Sequence, residues 1–188
     1  MSFMEEVAVS KGPPRDKRDD LGLTIEDWIL ALLAYGGGEI RGKTRLQKTL
    51  FIIDRLSEKY DSNFVNANFR PYDYGPHSVE VEKALKDLRR RHLIDIDYES
   101  TNAEEPVIII KASPEAIKKG KKILDSLKKS PAWKDIDARM YFGLKAPLLE
   151  LLWYVYEIWP EYTSRSMIKY KLRLWGRKKR LFPENYNI

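Results

Sequence analysis

The chain contains no cysteine. That excludes disulfides, thiol nucleophiles and zinc sites built on thiolates. It has only two histidines, His77 and His92, fifteen residues apart. They do not form the clustered ligand set that a metal site needs, so no metal or other cofactor is expected. No apolar run approaches the roughly 18 residues of a spanning helix, and no membrane partner is expected. The N-terminus lacks a basic stretch followed by an apolar one, which favours a cytoplasmic location. No internal repeat is present, and the carboxylates are scattered rather than paired. Nothing resembles a catalytic constellation, so an enzyme is not expected.

What is present suits a folded core. Of the 188 residues, 43% are hydrophobic and 12% aromatic. A charged fraction of 33% without cysteine suits a hot environment. The net charge of +6 is unevenly spread. Residues 1–110 hold 16 Lys/Arg against 20 Asp/Glu, whereas residues 165–180 hold 8 Lys/Arg and no acid. The N-terminal body is therefore slightly acidic, and the basic character comes late.

Four stretches follow from composition and periodicity. Residues 1–22 mix small, charged and Pro/Gly residues and read as a disordered arm. Residues 23–112 hold three helices and a hairpin. Thr24 and Asp27 resemble a capping box, followed by Trp28, Ile29, Leu32 and Leu33 at helical spacing. Gly36, Gly37 and Gly38 end that helix. A second helix, residues 43–60, puts Leu46, Leu50, Ile53 and Leu56 on one face, with Arg45, Lys48, Arg55 and Lys59 toward the other. An extended segment with Phe69, Pro71, Tyr72 and Tyr74 ends at Gly75-Pro76. His77 or Ser78 then caps a third helix whose Val81, Ala84, Leu85 and Leu88 face the core. Ile94 and Ile96 alternate with Asp95 and Asp97 as a half-buried strand, and residues 107–110 are its partner.

Residues 113–164 hold further helices. Ser113-Pro114 starts one of them. Pro147 starts another, LLELLWYVYEIW, which is apolar all round and reads as a central core helix or a dimer seam. Residues 165–188 form a basic helix, capped by Ser164 or Ser166, and a tail. The fold class is thus mainly α with a small β-hairpin: a winged helix-turn-helix core plus C-terminal helices.

Residues 37–44, GGEIRGKT, satisfy the phosphate-binding pattern GxxxxGK[ST]. A P-loop must leave a buried parallel strand, whereas IEDWILALLAY has helical periodicity. Glycines ending one helix and turning into the next explain the match better, and nucleotide binding is a minor alternative.

The segments TRLQKTLFIIDRL, FRPYDYGPHSVEVEKALKDL and LLWYVYEIWPEYTSRS resemble the YwgA-type family of prokaryotic proteins. More distantly they are similar to the Panacea antitoxin domain, which shares an LQK helix and a YGP turn before a helix. The matching positions are Leu46, Gln47, Lys48, Phe51, Tyr74, Gly75, Pro76 and Ser78. The resemblance implies a helical fold with winged-helix character and a regulatory or antitoxin-like role, and it carries no enzyme chemistry.

Two basic regions are candidates for nucleic-acid contact. One is the third helix, with Lys83, Lys86, Arg89, Arg90 and Arg91. Glu80 and Glu82 in its first turn oppose phosphate there. The other is the late segment, with Arg165, Lys169, Lys171, Arg173, Arg177, Lys178, Lys179 and Arg180 interleaved with Tyr170 and Trp175. Cations release counterions from phosphates, and aromatics stack on bases. Tyr72, Tyr74 and His77 are candidate lining of a small pocket. The favoured expectation is a homodimeric, double-stranded-DNA-binding transcription regulator. The alternative is a protein-interaction module, antitoxin-like or adaptor-like, which the acidic N-terminal body favours.

Overall fold

A computed structural model describes residues 20–100 and 106–172. The chain is mostly helical with a small antiparallel sheet. Helix α1 spans Ile25–Tyr35. The Thr24 N–H donates to Asp27 Oδ2 at 2.9 Å and the Asp27 N–H to Thr24 Oγ1 at 3.2 Å, so both free amide donors are satisfied. Trp28 to Leu33 are all buried. A helix buried on every side lies in the centre, so α1, rather than the late LLELLWYVYEIW helix, is the one with no wet side.

After α1 the chain forms a strand missing from the sequence reading, β1 (Glu39–Arg41). Gly37, Gly38 and Gly42 adopt positive φ around it. Helix α2 (Lys43–Asp54) ends earlier than expected, and a short separate helix, α3 (Ser57–Tyr60), follows. Next come two three-residue strands, β2 (Arg70–Tyr72) and β3 (Gly75–His77), paired antiparallel with Tyr72 opposite Gly75. Helix α4 (Val79–Arg90) follows. Ser78 is its cap, accepting from the amides of Glu80 and Val81 at 3.1 and 3.2 Å. His92 takes the left-handed position beyond its C-terminus, with φ of 55°.

Strands β4 (Ile94–Glu99) and β5 (Val107–Ala112) form the expected hairpin. β1 pairs with β5, so β5 is the central strand of a three-stranded sheet in the order β1-β5-β4. Ile40 and Ile96 both lie opposite Ile110. The tip, residues 101–105, lies outside the described residues.

Helix α5 (Pro114–Leu127) has Ser113 as its cap and packs on α1. Gly120 makes this possible, because a Cβ there would meet the Leu30 carbonyl and lie 2.7 Å from Ala34 Cβ. Helix α6 (Trp133–Lys145), absent from the sequence reading, packs on α2. Helix α7 (Leu148–Ile158) buries Leu151 to Tyr156 but exposes Leu148, Leu149 and Ile158 at its ends, so it is not apolar-covered all round. A 3₁₀ turn, Pro160–Thr163, follows, and residues 169–172 are helical.

The proposed arm from 1 to 22 falls outside the described residues up to residue 19. Its last part is docked rather than loose. The Asp20 amide donates to the Asn63 carbonyl, and its carboxylate accepts from the Asn63 amide at 2.7 Å. One buried cluster runs from Ile25 through α1, α2, α4, the sheet and α7 to Leu172. Residues 113–164 therefore share the core of residues 23–112.

Candidate functional site

Helix α2 determines the site. Leu46 to Asp54 are nine consecutive buried residues, including the polar Gln47, Lys48, Thr49 and Asp54. The sequence reading put Lys48 on a wet face, but it is only 2% exposed. Phe51 and Ile52, one turn further along, share its side of the helix and draw it inward. Arg45 and Arg55 are also engaged. Arg45 donates to the carbonyls of Gly143 and Ala146 at the end of α6. Arg55 pairs with Asp54 at 2.6 Å and lies over the rings of Phe51 and Tyr162.

The buried polar groups of α2 meet the β3 turn. Gln47 Nε2 donates to the Ser78 carbonyl at 3.0 Å, and the Ser78 N–H donates to Gln47 Oε1 at 3.0 Å. The Ser78 hydroxyl also donates to the Ala67 carbonyl. Lys48 Nζ donates to the Pro76 carbonyl at 2.7 Å. Gly75 lies against the Tyr156 ring of α7, where a Cβ would fall 2.9 Å from a ring carbon. Its φ of 81° also requires glycine. Gln47 and Lys48 thus hold the Gly75-Pro76-His77-Ser78 turn and, through it, the start of α4.

A cavity of about 160 Å³ opens beside this contact. Its walls include Lys48, Gln47, Tyr72, Tyr74, His77 and Glu82. Tyr72 and Tyr74 are about half exposed at the rim, and the Tyr72 and His77 rings stack at 5.0 Å. Glu82 Oε2 accepts from Lys43 Nζ at 3.0 Å, and Glu82 Oε1 lies 3.8 Å from His77 Nε2. Burial pushes the Lys48 ammonium down to about 7, and no carboxylate opposes that shift. Burial also holds His77 below its usual range. Glu82 pulls against this effect, and the nearby Lys48 and Lys43 charges add to it.

The P-loop-like match does not form a phosphate cradle. Helix α1 precedes it, and its middle residues are β1, paired antiparallel with β5. Lys43 is committed to Glu82. Among the described residues no group of three or more His, Asp or Glu side chains could hold a metal ion.

The basic candidates separate into groups. Lys83, Lys86, Arg89 and Arg90 are exposed on α4. Val79, Lys83, Lys86 and Arg90 share its outward stripe at helical spacing. Arg90 pairs with Asp87 at 2.8 Å, and Arg91 pairs with Glu26 of α1. Arg89 borders a shallow groove with His92, Asp95 and Lys111. Arg165 borders another groove, with Arg70, Tyr72, Val79 and Glu80, at the N-terminus of α4. The Met167 amide donates to the Asp73 carbonyl at 2.9 Å and holds that segment there. Lys169 and Lys171 are exposed, with Lys169 beside Trp153 and Glu157. Arg173, Arg177, Lys178, Lys179 and Arg180 lie outside the described residues.

No protein-family profile, curated protein or solved structure matches the chain. Among the described residues no helix is long and apolar enough to cross a membrane.

Proposed function

We propose that this is a winged-helix DNA-binding protein of the regulator kind, related to the YwgA-type proteins, acting without catalysis in the cytoplasm as a homodimer. Its contact surface is the outward face of α4. The observation that carries the reading is the Lys83, Lys86 and Arg90 stripe. It is exposed, while Glu82 is turned away to Lys43 and Asp87 is held by Arg90. Of the two acids in its first turn that oppose phosphate, Glu82 is thereby offset by Lys43. The order α1-β1-α2, then α4-β4-β5 after the intervening α3 and β2-β3 pair, supports it, with β1 paired to β5.

The wing plays little part in this reading. Asp95, Asp97 and Glu99 line one of its rows, with Asp97 held by Lys111 and Glu99 by Arg41. Phosphate contacts come from α4 and, beside its N-terminus, Arg165. With three to four such contacts, log K falls against log salt with a slope of about −3 to −4. Titration of a labelled DNA duplex at rising salt tests this. The triple variant K83E/K86E/R90E is expected to lose most of the affinity and most of the slope. Absence of binding at roughly 50 mM salt, where nonspecific contacts are already strong, overturns the proposal. So does a triple variant with the wild-type slope.

A second reading is a protein-interaction module. The observation that favours it is Val79, 76% exposed at the head of the α4 stripe beside the half-exposed Tyr72. A stoichiometric protein partner that is lost on Val79→Glu, with no DNA affinity, selects this reading.

A further inference from the structure

The Lys48 cavity has chemistry that its structural duties do not explain. A buried lysine is costly unless its charge is paired. Lys48 is 2% exposed, has three donors, and has one acceptor among the described residues, the Pro76 carbonyl. Holding that carbonyl needs a single donor. No carboxylate of the described residues lies within ion-pair distance of its Nζ, because the nearest acid on the wall, Glu82, is taken by Lys43.

The remaining walls favour a flat apolar body. Tyr72, Tyr74 and His77 contribute rings and the buried Gly75 a stretch of backbone, while Lys43, Thr44 and Gln47 complete the wall. A cavity of roughly 150 Å³ holds a benzene ring, and this pocket, open at the Tyr72 and Tyr74 rim, measures about 160 Å³.

We propose that this cavity binds a small aromatic monocarboxylate, with the carboxylate on the Lys48 ammonium and the ring against Tyr74 and the stacked Tyr72–His77 pair. The carboxylate supplies the missing counter-charge, and the ring fills the apolar part. Larger anions are excluded by volume. The site does not depend on the DNA-binding reading and stands or falls separately from it.

The pairing makes binding proton-linked. Around Lys48 the titratable groups are Lys43 on its own helix, Tyr72 and Tyr74 on the hairpin, His77 on β3 and Glu82 on α4, with Tyr156 of α7 behind Gly75. Burial holds His77 below its usual range, so above about pH 7 Lys48 is the group placed to take up the proton on binding. The free amine loses its proton above about 7. Affinity for an anion therefore falls about tenfold per pH unit above that point, and complex formation takes up close to one proton per site there.

The test is calorimetric titration of the full chain with sodium benzoate, at two pH values and in buffers of different ionisation enthalpy. Saturable 1:1 binding is expected, with a dissociation constant of about 1 mM for so small a ligand. Net proton uptake is expected at the higher pH. Benzamide, of the same shape without charge, binds at least tenfold more weakly. Lys48→Met abolishes benzoate binding, and Tyr72→Ala, at the exposed rim, weakens it without unfolding the protein. The proposal is overturned by no saturable binding at roughly 10 mM, well above that constant. It is equally overturned by benzamide binding as tightly as benzoate, or by binding without proton uptake. If Lys48→Met does not fold, the benzamide and proton-uptake measurements on the wild type decide the question.

Discussion

Replacing Lys48 by methionine is expected to change how stability depends on pH, not merely how large it is. Methionine has a similar length and fits the same apolar surroundings. The buried amine has its proton equilibrium pulled from an ordinary value of 10.5 to about 7. At about 1.4 kcal/mol for each pH unit of displacement, that corresponds to an upper figure of about 5 kcal/mol. Local relaxation and water entry reduce it to about 3 kcal/mol. The sign follows from the proton count. Between about 7 and 10.5 the unfolded chain keeps a proton that the folded chain has lost, so stability rises with pH across that window. Below about 7 both states hold the proton, and the full burial cost applies.

The assay is urea unfolding followed by tryptophan fluorescence at several pH values from about 7 to 9, a range in which Lys48 titrates and ordinary tyrosines do not. Wild type gains roughly 0.5–1 kcal/mol per pH unit there, and Lys48→Met stays flat. At neutral pH the variant is more stable by about 1–2 kcal/mol, after subtracting about 1 kcal/mol for the lost hydrogen bond to Pro76. Tyr35, Tyr154 and Tyr156 are pushed up by burial and cost stability only above about pH 10, equally in both proteins. His77 titrates below the range. Parallel stability curves for the two proteins would refute the reasoning, because they would mean that Lys48 is solvated or already paired with an anion.

Two stability predictions test the packing in opposite directions. Gly120→Ala normally gains about 1 kcal/mol in a helix interior. Here the added methyl meets the Leu30 carbonyl and Ala34, so α5 must move off α1 and the net loss is about 1–3 kcal/mol. At roughly 2–4 °C per kcal/mol, thermal melting shows a fall of several degrees, and an unchanged or higher Tm contradicts the contact. His92→Gly acts the other way. His92 holds φ of 55° beyond the end of α4, and glycine there stabilises by about 0.5–1 kcal/mol. A lower urea midpoint for that variant would show that the His92 side chain contributes more than its backbone costs.

Local signals in the sequence located α1 with its capping box, the Ser78 and Ser113 caps, and the β4-β5 hairpin. The failures have physical causes. β1 is three residues long, with only Ile40 buried, so its pairing to β5 comes from across the fold and leaves no local period. Helix α6 buries Ile136, Met140 and Phe142 between charged residues, and it also buries Arg139. Arg139 donates to the Ile52 carbonyl, a partner that only tertiary structure supplies. Helix α2 stops short of Tyr60 because the Leu56 N–H turns to the Ile53 carbonyl while the Ile52 carbonyl accepts from Arg139.

The candidate site was legible only in pieces. Sequence spacing groups Tyr72, Tyr74 and His77, and the family resemblance groups Gln47 and Lys48 with Tyr74, Gly75, Pro76 and Ser78, but as separate features. The structure joins them: the LQK and YGP segments are the two sides of one contact, closed by Gln47 on Ser78 and Lys48 on Pro76. Phe51 and Ile52 already pointed to this. A helix carrying apolar side chains opposite its Leu46 and Leu50 face has no wet side at Lys48. Gln47 can be justified by its reciprocal hydrogen bonds to Ser78, whereas a single carbonyl acceptor does not require the charge of Lys48. A chain that kept only the turn in place could use methionine there. The choice of lysine is what separates a ligand cavity from a packing defect, and comparing benzoate affinity with the pH dependence of stability in the same variant tests both.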